Sequence, residues 1–194
     1  GYTGTSTQTL AGAYAGTGTL CVTAGRLKIN ALGTNYTGRV VASGGVLELG
    51  MSGAFYGSPA DLCVDAGATL EITALDASGY NVPNTKPIEV SGTLIFAQRD
   101  STARGIRFYD GGRLLLKGVN MDGTHAMDLF NQPIIALVSG TASISPLDPA
   151  SASQATIIVR PEHVLQTFDV QASNAVLTVE TPLYGGSTAT IIDK

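Results

Sequence analysis

The chain has 194 residues and a formal net charge of −4, with 13% charged and 44% hydrophobic residues. That much apolar material argues against disorder, and an acidic balance without a Lys/Arg run argues against a nucleic-acid binder. The apolar stretches are too short to span a membrane.

One pattern recurs along the chain. It is a β-rich run, a glycine turn, and a second short run of alternating Leu or Ile. The first clear copy is Leu20 to Ile29 (LCVTAGRLKI), the second Arg39 to Leu49 (RVVASGGVLEL), and the third Leu62 to Ile72 (LCVDAGATLEI). Weaker copies run Ile88–Phe96, Ile106–Leu116 and Ile135–Ile144, and a degenerate one runs Phe168–Val179. Spacings begin near twenty residues and lengthen toward the C-terminus, within the range of solenoid repeats. Gly25, Gly44, Gly67, Gly92, Gly111 and Gly140 mark the turns, with Asn174 in the last. Gly and Asn adopt the left-handed conformation at least cost, and each turn is expected to use it.

Alternation assigns the faces. In Leu27-Lys28-Ile29, Leu47-Glu48-Leu49 and Leu70-Glu71-Ile72 the aliphatics point inward and the charges outward. Val22, Val41 and Val64 each precede a turn glycine by three residues and are expected to stack inward. Helical periodicity is nearly absent; only Pro161 to Gln166 could form one short turn. Two strands per copy without a helical crossover predict an all-β, parallel β-helix (β-solenoid) of about seven coils, less regular after residue 120. A β-sandwich is the competing architecture. Its strands have no reason to repeat V-x-x-G-x-L.

The first third of the chain resembles the autotransporter-associated β-strand repeat. Asn35-Tyr36-Thr37-Gly38, then Val41, Gly44, Leu47, Leu49 and Gly50, carry the likeness. Tyr2-Thr3-Gly4, Ala13-Tyr14-Ala15-Gly16 and Phe55-Tyr56-Gly57 are similar to its Tyr-Thr-Gly corner, and the close match covers residues 2–72. The resemblance implies a right-handed β-helical passenger on the exterior of a Gram-negative cell, secreted or surface-bound. Both ends cut through the repeat, so residues 1–194 are expected to be one segment of a longer protein. Such a segment implies a structural, rod-like role in adhesion or fibre assembly, with end-to-end or lateral self-association. No enzyme activity, cofactor or metal site is expected.

Departures from the repeat are the other places where function could reside. Residues 73–87, 117–134 and 145–156 are expected to be loops, and lengthened solenoid loops commonly bind ligands. The first two are candidates for a glycan or host-protein site. Carbohydrate-active enzymes need paired carboxylates, or carboxylates with a metal and a base. Asp122, His125 and Asp128, with Asp110 one coil earlier, form the best such cluster, although an exposed polar loop between coils is the simpler explanation. His163 reads as a surface or packing residue, and the two cysteines lack zinc-ligand spacing. Cys21 and Cys63 are expected to lie two coils apart, about 9.6 Å by rung spacing, with Val40 between them. That is too far for a disulfide. This stripe points outward as a lateral contact if Val22, Val41 and Val64 point inward, and is core if the phase is shifted by one. Tyr2, Tyr14, Tyr36 and Tyr56 recur at corners, either as a structural ladder or as a sugar-stacking row.

Overall fold

A computed structural model describes residues 3–33, 35–52, 54, 61–74, 86–98, 101–117, 127–150, 155, 157–159, 166–181, 183–185 and 192–193. For 101–104, 127–134, 157–159, 166–167, 183–185 and 192–193 the description is of backbone alone. The chain opens with β1 (Thr7–Leu10), β2 (Ala15–Gly16), β3 (Thr19–Val22), β4 (Arg26–Ile29), β5 (Asn35–Tyr36), β6 (Arg39–Ala42) and β7 (Val46–Leu49). It continues with β8 (Asp61–Val64), β9 (Thr69–Ile72), β10 (Ile88–Val90), β11 (Thr93–Phe96), β12 (Ser101–Phe108) and β13 (Arg113–Leu116). Then come β14 (Met127–Leu137), β15 (Thr141–Pro146), β16 (Ile157–Val159), β17 (Gln166–Val170), β18 (Val176–Val179), β19 (Leu183–Gly185) and β20 (Ile192–Asp193). No α-helix occurs among the described residues.

All the strand pairings are parallel and join each coil to the next. One wall stacks β1-β4-β7-β9-β11-β13-β15-β18, and a second runs through β3-β6-β8-β10-β12-β14, with β17 following β14. The chain alternates between them: among the described residues β3–β4, β6–β7, β8–β9, β10–β11, β12–β13, β14–β15 and β17–β18 make seven two-strand coils. The fold is a parallel β-solenoid, as the repeat implies. Backbone groups of an inner rung bond the rungs above and below, so the stack needs no helix to close it.

The core lies between the walls. Val40, Leu62, Ile88, Ile106 and Ile135 form one inward row of the second wall. Leu47, Leu70, Leu94, Leu114 and Ile144 face them from the first. Phe96 and Phe108, both fully buried, supply the largest apolar surfaces. Burial of each such side chain contributes roughly 1.5–3 kcal/mol.

The inward row through Val22 differs from expectation. Val22 stands over Ala42, and Ala42 over Val64, while Val41 pairs with Cys21 and Cys63. The second corner explains the slip. The Val46 amide donates to Gly25 O at 2.7 Å, which brings Gly45 rather than Gly44 level with Gly25. Counting back three residues from Gly45 reaches Ala42. The glycines also divide by role. Gly25, Gly67, Gly111 and Gly140 have φ between 64° and 81°, but Gly44 and Gly92 are not left-handed. Those two are small because backbone crowds them: a Cβ on Gly44 would lie 2.5 Å from Thr23 O, and one on Gly92 would lie 2.5 Å from Ala68 O.

The later coils widen. β12 and β14 keep register from Ser101↔Met127 to Ala103↔Leu129, then shift before Gly105↔Ile134. The first part of β14 pairs with β16, and its last part with β17. Residues 127–134 are therefore strand, not the loop expected over 117–134, and Ser145 and Pro146 extend β15 rather than opening a loop. The parallel ladder holds these polar segments extended despite their loop-like composition.

Candidate binding groove

The candidate catalytic cluster does not come together as a site among the described residues. Asp122, His125 and His163 lie outside them, as does the centre of the 73–87 loop, residues 75–85. Asp128 pairs its backbone with Thr102 and Ile158. Asp110 has a structural task. Its Oδ1 accepts the Thr141 amide at 2.9 Å and lies 3.4 Å from the Thr141 hydroxyl, tying one corner to the next. Among the described residues no three His, Cys, Asp or Glu side chains gather as a metal would need. No described helix is long and apolar enough to cross a membrane.

The tyrosine corner is a structural ladder where it is described. Tyr14 and Tyr36 pack edge to face with ring centroids 5.6 Å apart. The Tyr14 hydroxyl donates to Ala54 O at 3.2 Å, and the Tyr36 hydroxyl is hydrogen-bonded to Gly18 O and lies 3.1 Å from Arg39 O. Burial pushes both phenols above their ordinary range. Rings committed to neighbouring rungs offer no flat platform for a sugar. Tyr2 and Tyr56 lie outside the described residues.

Cys21 and Cys63 are free thiols two rungs apart, with Val41 between them rather than Val40. The row alternates away from the core, so the outward phase holds. It is nevertheless covered: Val41 is 7% and Cys63 4% exposed. An apolar stripe this deeply screened supplies little lateral contact area.

What covers Cys63 is the most site-like feature among the described residues. The outer row runs Val41, Cys63, Glu89 and Arg107. The next outer row, at the corner, runs Asp65, Ser91 and Tyr109, continued by Ser91 N–H to Val64 O and Tyr109 N–H to Val90 O. Cys63 and Ser91 are short, and their neighbours are long. The result is a depression of about 170 Å³ lined by Arg39, Cys63, Asp65, Glu89, Ser91 and Tyr109.

Its lining carries one guanidinium, Arg39, against two carboxylates, Asp65 and Glu89. Arg39 reaches up one rung, its Nε donating to Cys63 Sγ at 3.2 Å. Cys63 Sγ lies 3.8 Å from Glu89 Oε2, and Glu89 Oε1 lies 3.6 Å from Arg107 Nη1. Burial pushes the Cys63 thiol up, and the adjacent Arg39 guanidinium only partly offsets it. The sulfur is therefore a neutral floor rather than a reactive thiolate. The Arg39 guanidinium is held charged chiefly by Cys63, with a smaller contribution from the Asp65 carboxylate. Sequence reasoning missed this groove because it depends on cross-rung rows, and the one-residue slip at Gly44/Gly45 hid them.

The opposite wall carries a clasp. Lys28, Glu48 and Glu71 stack in one outer row. Arg26 Nη1 lies 2.7 Å from both Glu48 Oε2 and Glu71 Oε2, and Lys28 Nζ lies 2.8 Å from Glu48 Oε1. Three coils are thereby tied by charge, which neutralises two carboxylates that would otherwise repel one another. Comparison with family models, curated proteins and solved structures finds no match to this chain.

Proposed function

We propose that the chain is a structural, rod-like passenger segment, secreted or held at a Gram-negative cell surface, that serves adhesion or fibre assembly. The observation that carries this reading is the unbroken parallel stacking of coil on coil, eight strands deep in one wall. Such a stack is quasi-one-dimensional and lengthens by adding coils without redesign. The likeness of residues 2–72 to the autotransporter-associated repeat supports the passenger assignment. It also supports right-handed winding, which connections between parallel strands of one sheet adopt almost without exception. The reading treats residues 1–194 as one solenoid segment of a longer repetitive protein.

Assembly follows from strand edges. Among the described residues β18 ends its wall, with Val176 54% and Val179 36% exposed, and an unpaired parallel edge is a template for another strand. In this reading a further coil or a second copy of the rod stacks there. Electron microscopy of the purified protein without ligand tests it. Filaments with an axial repeat of an integer number of coils, each about 4.8 Å, are the expected result. Short isolated rods at every concentration would overturn the assembly role.

A further inference from the structure

We propose that Asn35 is an attachment site for an N-linked glycan. The proposal rests on the secreted or surface location assigned to the chain and not on its assembly.

The sequence supplies the acceptor. Asn35-Tyr36-Thr37 has the N-x-T form that asparagine-directed glycosyltransferases read, with a middle residue other than Pro. No other Asn of the chain is followed by Ser or Thr two residues on. So short a pattern needs a surface position to carry meaning. Asn35 and Thr37 are both exposed, and Tyr36 between them is buried. Alternation therefore turns the Asn35 amide and the Thr37 hydroxyl to the same outer face. Tyr36 fixes that phase, since its ring packs on Tyr14 and its hydroxyl is hydrogen-bonded to Gly18 O. A slip of one residue would bury the amide and expose the ring.

The surroundings leave room. β5 has two residues and pairs with β2 in a sheet of its own, apart from both walls. Ala15, level with Asn35 on the preceding rung, is exposed and ends at a methyl group. A sugar on Asn35 thus projects sideways from a corner and covers neither wall. So short a strand also holds few backbone bonds to open when a transferase draws Asn35 into its site.

The reaction needs one co-reactant, a sugar activated as a glycosyl diphosphate. Asn35 Nδ2 bonds the anomeric carbon, and the bond from that carbon to the diphosphate oxygen breaks. The diphosphate leaves with the electron pair, and one amide proton passes to a base of the transferase. Nothing is oxidised or reduced. The Thr37 hydroxyl serves recognition and is not the acceptor.

Mass spectrometry of the protein purified from the cells that produce it tests the proposal. Trypsin cuts after Lys28 and Arg39, so Asn35 lies in the peptide Ile29–Arg39. The expected result is a glycan mass placed on Asn35 by electron-transfer fragmentation. A single sugar marks a nucleotide-linked donor, and a preassembled oligosaccharide marks a lipid-linked one. Asn35→Gln and Thr37→Ala should each reduce the modified peptide to background, while Thr37→Ser retains it. Both positions are exposed, so the circular dichroism of these variants should match the parent. An unmodified Asn35, a sugar carried by Tyr36 or Thr37 instead, or a Thr37→Ala protein modified like its parent would overturn the proposal. Fractionation of the same cells reports location separately. Bare Asn35 on exported protein overturns this proposal alone, whereas protein confined to the cytosol with Asn35 bare overturns the secreted reading as well.

Discussion

Glu48 shows how one side chain can face outward and still be buried. It is 7% exposed, held by Arg26, Lys28 and a 2.8 Å hydrogen bond from the Thr73 hydroxyl. Burial pushes its carboxyl up, but hydrogen bonds from Lys28, Thr73 and Arg26, with the Lys28 charge, outweigh that and bring it to about 2. The folded value is thus below the ordinary value of 4.5. A group depressed on folding contributes stability that is present above its unfolded pKa and lost as pH falls through its folded one. Allowing for screening of the partly exposed Arg26 and Lys28, the contribution is about 2 kcal/mol. Glu48→Gln is expected to lower stability by that order at pH 7 and to flatten its decline between about pH 4.5 and 2, read by urea denaturation at each pH. An unchanged acid limb would show that the clasp contributes nothing. The outward placement of Lys28, Glu48 and Glu71 was legible from alternation alone. The clasp was not, because Arg26 and Thr73 reach Glu48 from other coils and only the register brings them there.

Strands and corners obey different rules. The seven copies were legible because their Leu, Ile and Val alternate at period two, and each reappears as a pair of wall strands. The short strands β2, β5, β16 and β19 were not, since two or three residues carry no period. β14 was hidden for another reason: Asp128 and Asn131 give it the composition of a loop, and pairing with β12 extends it. Corner glycines looked alike in sequence yet serve two purposes. Gly67 has φ 79° with no atom within 4 Å of a would-be Cβ, whereas Gly92 faces Asp65 O and Ala68 O. Gly67→Ala should therefore cost about 1–2 kcal/mol, the price of a left-handed alanine. Gly92→Ala should cost about 3 kcal/mol, because rigid backbone must move. Thermal or urea unfolding of the two variants distinguishes them, and equal losses would contradict this division of roles.

At the scale of the molecule, stability is set by neighbours along the axis. β9, β11 and β13 alternate buried and half-buried or exposed positions, but β1 and β18 are largely exposed. Solenoid stability is a sum of coil and interface terms, so the outer rungs should open before the middle ones. Amide hydrogen exchange should be slowest from β8 to β13 and at least about tenfold faster in β1 and β18. Exchange at one common rate would mean that the stack opens only as a whole. The second and third corners carry a consequence for how such a chain can change. Between Ala42 and Val46 the corner holds three residues, and between Val64 and Thr69 it holds four, yet the rungs on either side remain in register. Corner length is thus separate from strand register. A residue gained at a corner leaves the stack intact, whereas one gained inside a strand turns the rest of that strand inside out. Insertions are therefore tolerated at the corners and purged from the rungs, so lineages of this rod can diversify their rims while inheriting an unchanged core.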